Sequence, residues 1–223
     1  MSKRVSHSIL DPFIGPRLKS LYPLLRVPNR FPPEGIVPIG HVLAILGAIG
    51  FALSTQYWWG GLIAALGVIG NHTADCVDGT HARATGQCRN GGELLDHFTD
   101  PMSFAYWLVG IGVAASRIDL ALIAVICLFA IAVLTNIKAK LLGEFTLARF
   151  GPTEFKTVLC LFGISLSFLC ILAPQWTTTA AVGGIGLLIA VGLFQVPWQL
   201  FHAVREVNRC ESEPDTSEWI NAS

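Results

Sequence analysis

Two stretches of this chain carry no Asp, Glu, Lys or Arg: the 40 positions from Gly35 to Ala74 and the 48 from Thr157 to Val204. A helix needs about 20 apolar residues to cross the hydrocarbon layer of a bilayer, so each stretch is long enough for two crossings. A chain of 223 residues would otherwise suggest one or two soluble domains, but with 52% apolar and 13% charged residues composition agrees with the runs. The expected fold class is an all-α integral membrane protein, with six transmembrane helices and an N-terminal amphipathic surface helix.

The breaks within the runs place the spans. Tyr57, Trp58 and Trp59 read as an interfacial aromatic belt and Gly60 and Gly61 as a turn, so span one is roughly 36–54 and span two roughly 60–78. Span three begins around Gly92 and runs to Ser116, and Leu120 to Ile137 makes span four. Pro174, Gln175, Trp176 and Thr177 to Thr179 divide the second run into spans five and six. Residues 1–34 mix basic and apolar side chains, start a helix at Asp11 and Pro12 and end in prolines, which suits a segment lying along the membrane surface. This segment lacks the apolar core of a cleavable signal peptide, so the mature chain is expected to begin near Met1. The chain divides into a juxtamembrane segment (1–34), a six-helix domain (35–204) and a polar, acidic, loosely ordered tail (205–223).

Of the 15 Lys and Arg residues only Arg117 falls on the side opposite the termini, a bias that puts both termini and the loop between spans two and three in the cytoplasm. Zero net charge says nothing about partners, and no nucleic acid is expected among them. Cys76, Cys88, Cys127, Cys160, Cys170 and Cys210 lie in expected helices or on the cytoplasmic side, where a disulfide framework is not expected. The glycosylation-type triplets at Asn71 and Asn221 fall in the membrane or on that same side and read as chance.

Between the two runs lies DCVDGTHARATGQCRNGGELLDHFTD, from Asp75 to Asp100. Asp75 and Asp78 are three apart and Asp96 and Asp100 four apart, so each pair shares a helix face. An Asp near a bilayer centre costs about 2.5–3.5 kcal/mol on insertion scales, and four close together also repel. Hard divalent cations relieve that repulsion, and Mg²⁺ commonly joins one or two carboxylates to substrate phosphates. The cluster therefore predicts both a metal and a phosphate-bearing substrate, with antiparallel packing of spans two and three bringing the carboxylates together and Gly91 and Gly92 allowing close approach.

At these residues the sequence resembles the CDP-alcohol phosphotransferases, whose pattern DxxDGxxARx(7 or 8)GxxxDxxxD is filled by Asp75, Asp78, Gly79, Ala82, Arg83, Gly92, Asp96 and Asp100. The resemblance implies Mg²⁺ or Mn²⁺ as cofactor, held by Asp75, Asp78, Asp96 and Asp100, with Asp100 also the candidate base that deprotonates the acceptor hydroxyl. It implies CDP-alcohol and lipid substrates, surrounding membrane lipids and a homodimer. Gly79 is read as breaking the helix to admit nucleotide, Ala82 as a second close approach and Arg83 as a phosphate ligand. His81, Glu93 and His97 are expected in structural or supporting roles rather than as direct ligands, with His97, which adjoins Asp96, the first exception to look for.

GGELLDHFTD and DGTHARAT are similar to the choline and ethanolamine phosphotransferase branch, with GPTE at Gly151–Glu154 a weaker echo. This suggests a CDP-amino-alcohol donor and a diacylglycerol acceptor. Two departures stand out: the family's PNxxTxxG aligns with Pro33–Gly40 only with Glu34 and Val37 as mismatches, and members of that branch are usually longer. The alternative is a CDP-diacylglycerol donor with serine, inositol phosphate or glycerol phosphate as acceptor, for which Lys138, Lys140, Arg149 and Lys156 could build a basic pocket; the positive-inside rule explains the same residues. A non-enzymatic cation carrier or channel would leave Gly79, Ala82, Arg83 and Gly92 without a purpose.

Overall fold

The computed structural model describes residues 3–210. The tail beyond Cys210, including Asn221, lies outside the described residues. Six long helices form the body: α3 (Ile36–Leu53), α4 (Trp58–Thr85), α5 (Asn90–Ala114), α6 (Ile118–Leu142), α7 (Pro152–Leu172) and α8 (Thr177–Arg209). Ahead of them come β1 (Lys3–Ser6), α1 (Asp11–Lys19) and α2 (Tyr22–Leu25), and β2 (Glu144–Leu147) lies between α6 and α7.

The boundaries follow local chemistry. Both α4 and α6 stop at a glycine in the left-handed region, Gly86 (φ 70°) and Gly143 (φ 67°), where a side chain would be strained. At the start of α7, Pro152 needs no N–H partner and the Gly151 N–H donates to Glu154 Oε2 at 2.9 Å. Two expectations are corrected here. Gly79 does not break its helix, since α4 continues to Thr85, and Gly60 and Gly61 are not a turn but buried residues in the first turn of α4.

The N-terminal segment also differs from the single surface helix read from sequence. Its two helices are only nine and four residues long, and β1 pairs in parallel with β2, Lys3 opposite Glu144 and Ser6 opposite Leu147. Strands this short, far apart in sequence, leave no periodic signal. Glu154 anchors the same segment: its Oε1 accepts from the Ser8 hydroxyl (2.6 Å) and from the N–H groups of Ile9 (2.8 Å) and Leu10 (2.9 Å).

The long helices close a ring in the order α4–α3–α5–α6–α8–α7 and back to α4. Inside it Phe51, Trp107, Ile111, Leu159 and Ile185 are fully buried, and the Trp107 indole N–H donates to the Ala44 carbonyl at 2.9 Å. Where two helices pass closest the residues are small: a Cβ on Gly67 would overlap the backbone of Gly47, and one on Gly61 would overlap the carbonyl of Gly163. Close backbone contact is how helices associate where lipid is as apolar as leucine. Leu122, Ile126, Val133 and Ile137 of α6 and Leu187 and Phe194 of α8 point outward.

Among the described residues four helical segments are long and apolar enough to cross a membrane: Pro33–Leu53, Ile118–Leu142, Pro152–Leu172 and Pro174–Arg209. The 28 residues of α4 and 25 of α5 suffice in length, but these two carry the acidic residues of the motif. Helix α8 runs to Arg209, so the segment from Arg205 to Arg209, read as tail, continues the last helix.

Candidate active site

The carboxylates come together without the helix pairing expected from sequence. Helices α4 and α5 share no extended interface; each packs on α3, and their charged ends converge beside the first turns of α7. Asp75 and Asp78 lie ten and seven residues before the end of α4 at Thr85, while Asp96 and Asp100 lie in the first three turns of α5. One oxygen from each of Asp75, Asp96 and Asp100 lies within 4.8 Å of the others. Asp78 stands outside that trio and lines two cavities that meet at Asp78 and Asp96.

The smaller cavity, about 20 Å³, is lined by all four carboxylates together with His41, Asn71, Thr99 and Ser103. It is large enough for a single water-sized particle. The Asn71 amide nitrogen donates to the Gly40 carbonyl (3.1 Å) and the Ser103 hydroxyl (3.3 Å), whereas its buried Oδ1 has no partner among the described residues. His41 Nε2 is 3.0 Å from the Tyr106 hydroxyl.

The larger cavity, about 410 Å³, has the size of a ligand pocket. Its wall includes Glu34, Asp78, Gly79, Ala82, Arg83, Arg89, Gly92, Glu93 and Asp96. Gly79, Ala82 and Arg83 thus sit where a nucleotide could reach them. Gly92 does not pack helices as expected: a Cβ there would meet only Glu34 Oε1, at 3.9 Å, and one on Gly91 would meet nothing, so both are free of any close helix approach. The segment aligned with the family's first-span pattern is also here, with Pro33, Glu34 and Val37 on the larger cavity and Val37 and Gly40 on the smaller.

Of the supporting candidates, Glu93 lines the larger cavity. His97 lies 3.8 Å from Glu93 and packs on Phe145 of β2, lining neither cavity. His81 is fully buried between the Tyr22 hydroxyl and the Phe31 carbonyl, each 2.8 Å from its ring, a structural role.

The residue that sequence reasoning misplaced is Lys156. It is no surface anchor: its side chain is 1% exposed, and Nζ donates to Asp75 Oδ2 at 2.8 Å and Asp100 Oδ1 at 3.2 Å. A lysine in the first turns of an apolar helix ordinarily snorkels outward, so nothing in the sequence marks it. Carboxylate oxygens of Asp75, Asp96 and Asp100, with Asp78 on the same small cavity, make an all-oxygen anionic donor set. Such a set fits a hard divalent cation such as Mg²⁺ or Mn²⁺ and excludes a thiolate-type zinc centre.

Residues 36–195, well over half of the chain, match the family described as CDP-alcohol phosphatidyltransferase. Human cholinephosphotransferase 1 is 33% identical over 94 residues, which cover 42% of this chain but only 23% of that protein. Two relatives match over most of their length: the phosphatidylinositol phosphate synthase of Mycolicibacterium smegmatis (28% identity, 78% of this chain, 77% of that one) and the archaetidylinositol phosphate synthase of Pyrococcus horikoshii (32%, 69% and 80%). The chain belongs to the CDP-alcohol phosphatidyltransferase family.

Proposed function

We propose that the protein transfers a phosphoalcohol group from a CDP-alcohol to a lipid hydroxyl and releases CMP, with a CDP-amino-alcohol as donor and diacylglycerol as acceptor. The observation that carries the reading is the trio of carboxylates within 4.8 Å, opening through Asp78 and Asp96 into a cavity of about 410 Å³ that also holds Arg83. Bound Mg²⁺ or Mn²⁺, held by Asp75, Asp78 and Asp96 with Asp100 adjoining, would neutralise the pyrophosphate and the charge that develops at phosphorus. Arg83 orients phosphate oxygens with its planar fork. Asp100 takes the proton of the acceptor hydroxyl as its oxygen bonds to the β-phosphorus, and the bond from that phosphorus to the bridging oxygen breaks, so CMP departs with the electron pair.

Support for the amino-alcohol donor comes from Glu34 and Glu93 on the wall of the larger cavity, acidic groups that would suit an ammonium, although each already lies 3.8 Å from a basic side chain, Arg89 and His97, and Arg83 and Arg89 share the wall. A basic pocket for a phosphorylated acceptor has fewer residues to draw on than the sequence suggested. Lys156 is held by Asp75 and Asp100, and Lys138 lies 2.7 Å from Glu206. The second reading, CDP-diacylglycerol with a polar alcohol acceptor, is favoured by the two inositol phosphate synthases that this chain matches over most of their length.

One assay tests both. The protein in lipid nanodiscs receives either CDP-choline or CDP-ethanolamine with diacylglycerol, or CDP-diacylglycerol with serine, inositol phosphate or glycerol phosphate, and CMP is measured. The first pair should release CMP in Mg²⁺ or Mn²⁺ and none in excess chelator. Release confined to the second group would move the assignment to the second reading, and undiminished turnover in chelator would refute the metal mechanism.

A further inference from the structure

The wall of the larger cavity changes character along its length. At one end stand Asp78 and Asp96, which it shares with the smaller cavity, and one helical turn further out, at Ala82 of α4 and Gly92 of α5, the carboxylates give way to small residues. Glu34, in the single turn Pro33–Gly35 ahead of α3, faces this outer part. A Cβ on Gly92 would meet its Oε1 at 3.9 Å and nothing nearer, so the hydrogen of Gly92 keeps the approach to that oxygen open. Arg89, at the start of α5, brings Nη1 to 3.8 Å from the same oxygen. That separation makes an ion pair and is too long for a hydrogen bond, so Glu34 can still accept and Arg89 can still donate. Pro33 and Val37 add apolar surface beside them.

We propose that Glu34 and Arg89 read the cytosine of the donor nucleotide, Glu34 accepting from its exocyclic amine and Arg89 donating to the neighbouring ring nitrogen or carbonyl. The inference rests on the CDP-alcohol reading and deepens it by naming the residues that select the base. A cytosine edge presents a donor, the 4-amine, next to two acceptors, N3 and the 2-carbonyl, and a carboxylate beside a guanidinium is its complement. Uracil reverses the first two positions. Its 4-carbonyl would face the Glu34 carboxylate and its N3–H would face Arg89, so acceptor would oppose acceptor and donor would oppose donor. The order of groups along the cavity suits a nucleotide: with the pyrophosphate at Asp78, Asp96 and Arg83, the base reaches the outer part, where Pro33 and Val37 offer apolar surface. With Glu34 on the base, an ammonium on the donor is left to Glu93.

The test is nucleotide preference at equilibrium, which needs neither a lipid acceptor nor turnover. The protein in lipid nanodiscs with Mg²⁺ is titrated calorimetrically with CMP and with UMP, and the folding of each variant is checked by its melting temperature. The unaltered chain should bind CMP on the order of 10-fold or more tighter than UMP. Glu34→Gln, whose amide can turn either its oxygen or its nitrogen to the base, should bring the two affinities to within about threefold, chiefly by weakening CMP. Arg89→Gln, a change at an exposed side chain, should narrow the preference in the same direction. A folded Glu34→Gln or Arg89→Gln that keeps the full preference, whether by losing both nucleotides in equal proportion or by losing neither, overturns the proposal, and Arg89→Gln alone decides should Glu34→Gln not fold. Equal binding of CMP and UMP by the unaltered chain overturns it without any variant. An unaltered chain that binds neither nucleotide overturns the CDP-alcohol reading itself, so the two failures are distinguishable.

Discussion

Asp100 and Asp78 differ by position in a way that their shared motif hides. Asp100 lies in the carboxylate trio and accepts from Lys156, whereas Asp78 stands at the junction of the two cavities. Asp100→Asn keeps an oxygen that can accept from Lys156 and touch metal, but that oxygen cannot act as a base at neutral pH. CDP-alcohol binding should therefore largely survive while CMP release falls on the order of 10²-fold or more, the usual loss when a positioned base is removed. Asp78→Asn should weaken metal-dependent nucleotide binding itself. Affinity and rate must both be measured, since rate alone falls in each variant. Near-normal transfer by Asp100→Asn, or loss of nucleotide binding as complete as that of Asp78→Asn, would rule out a dedicated base at Asp100.

Among the elements, α7 does the least expected work. Its first turns bring Glu154 to the N-terminal segment and Lys156 to the carboxylates, so one short stretch ties the start of the chain to the site. Glu154 is 6% exposed and accepts from three groups of residues 8–10. Glu154→Ala would strand these donors at a cost of roughly 1–3 kcal/mol. Hydrogen exchange should then accelerate at Ile9 and Leu10, and Glu154→Gln, which keeps an acceptor oxygen, should restore part of the protection. Unchanged exchange in Glu154→Ala would mean that the β1–β2 pairing alone holds the segment. The GPTE residues were legible as a faint family echo, but their contact with Ser8 was not, because it joins positions that no local pattern relates.

Across the whole molecule the N-terminal segment, the α4–α5 loop and the α6–α7 loop gather at one end. Gln87 donates to the Asn29 carbonyl at 2.9 Å, and β1 pairs with β2. Glu206 near the end of α8 meets Lys138 near the end of α6 at this same end, whereas Arg117 lies at the start of α6 beside Asp119. The charge bias then predicts that the carboxylate end faces the cytoplasm. The exposed thiol of Cys88 in the α4–α5 loop is a native reporter. In a variant that keeps Cys88 as its sole cysteine, an impermeant maleimide should label permeabilised cells and leave intact cells unlabelled. Labelling of intact cells would reverse the orientation.

The sequence by itself determined the helical class and placed the ends of the long helices to within about a turn and a half, or two turns at the end of α4, and it singled out the four carboxylates and Arg83 that line the two cavities. Apolar runs, prolines and acidic spacing are local signals, and they survive without a partner in view. Only the tertiary structure decided that α4 and α5 meet through α3, that Gly92 lines a cavity while Gly61 and Gly163 bring helices together, and that Lys156 points inward. Each of these depends on which helix lies opposite, and the direction of a side chain around its own axis is set by packing that no stretch of sequence contains. Lys156 shows the reason most plainly. An anchoring lysine and a buried counter-ion occupy the same position in a helix, and the carboxylates that distinguish them come from two other helices.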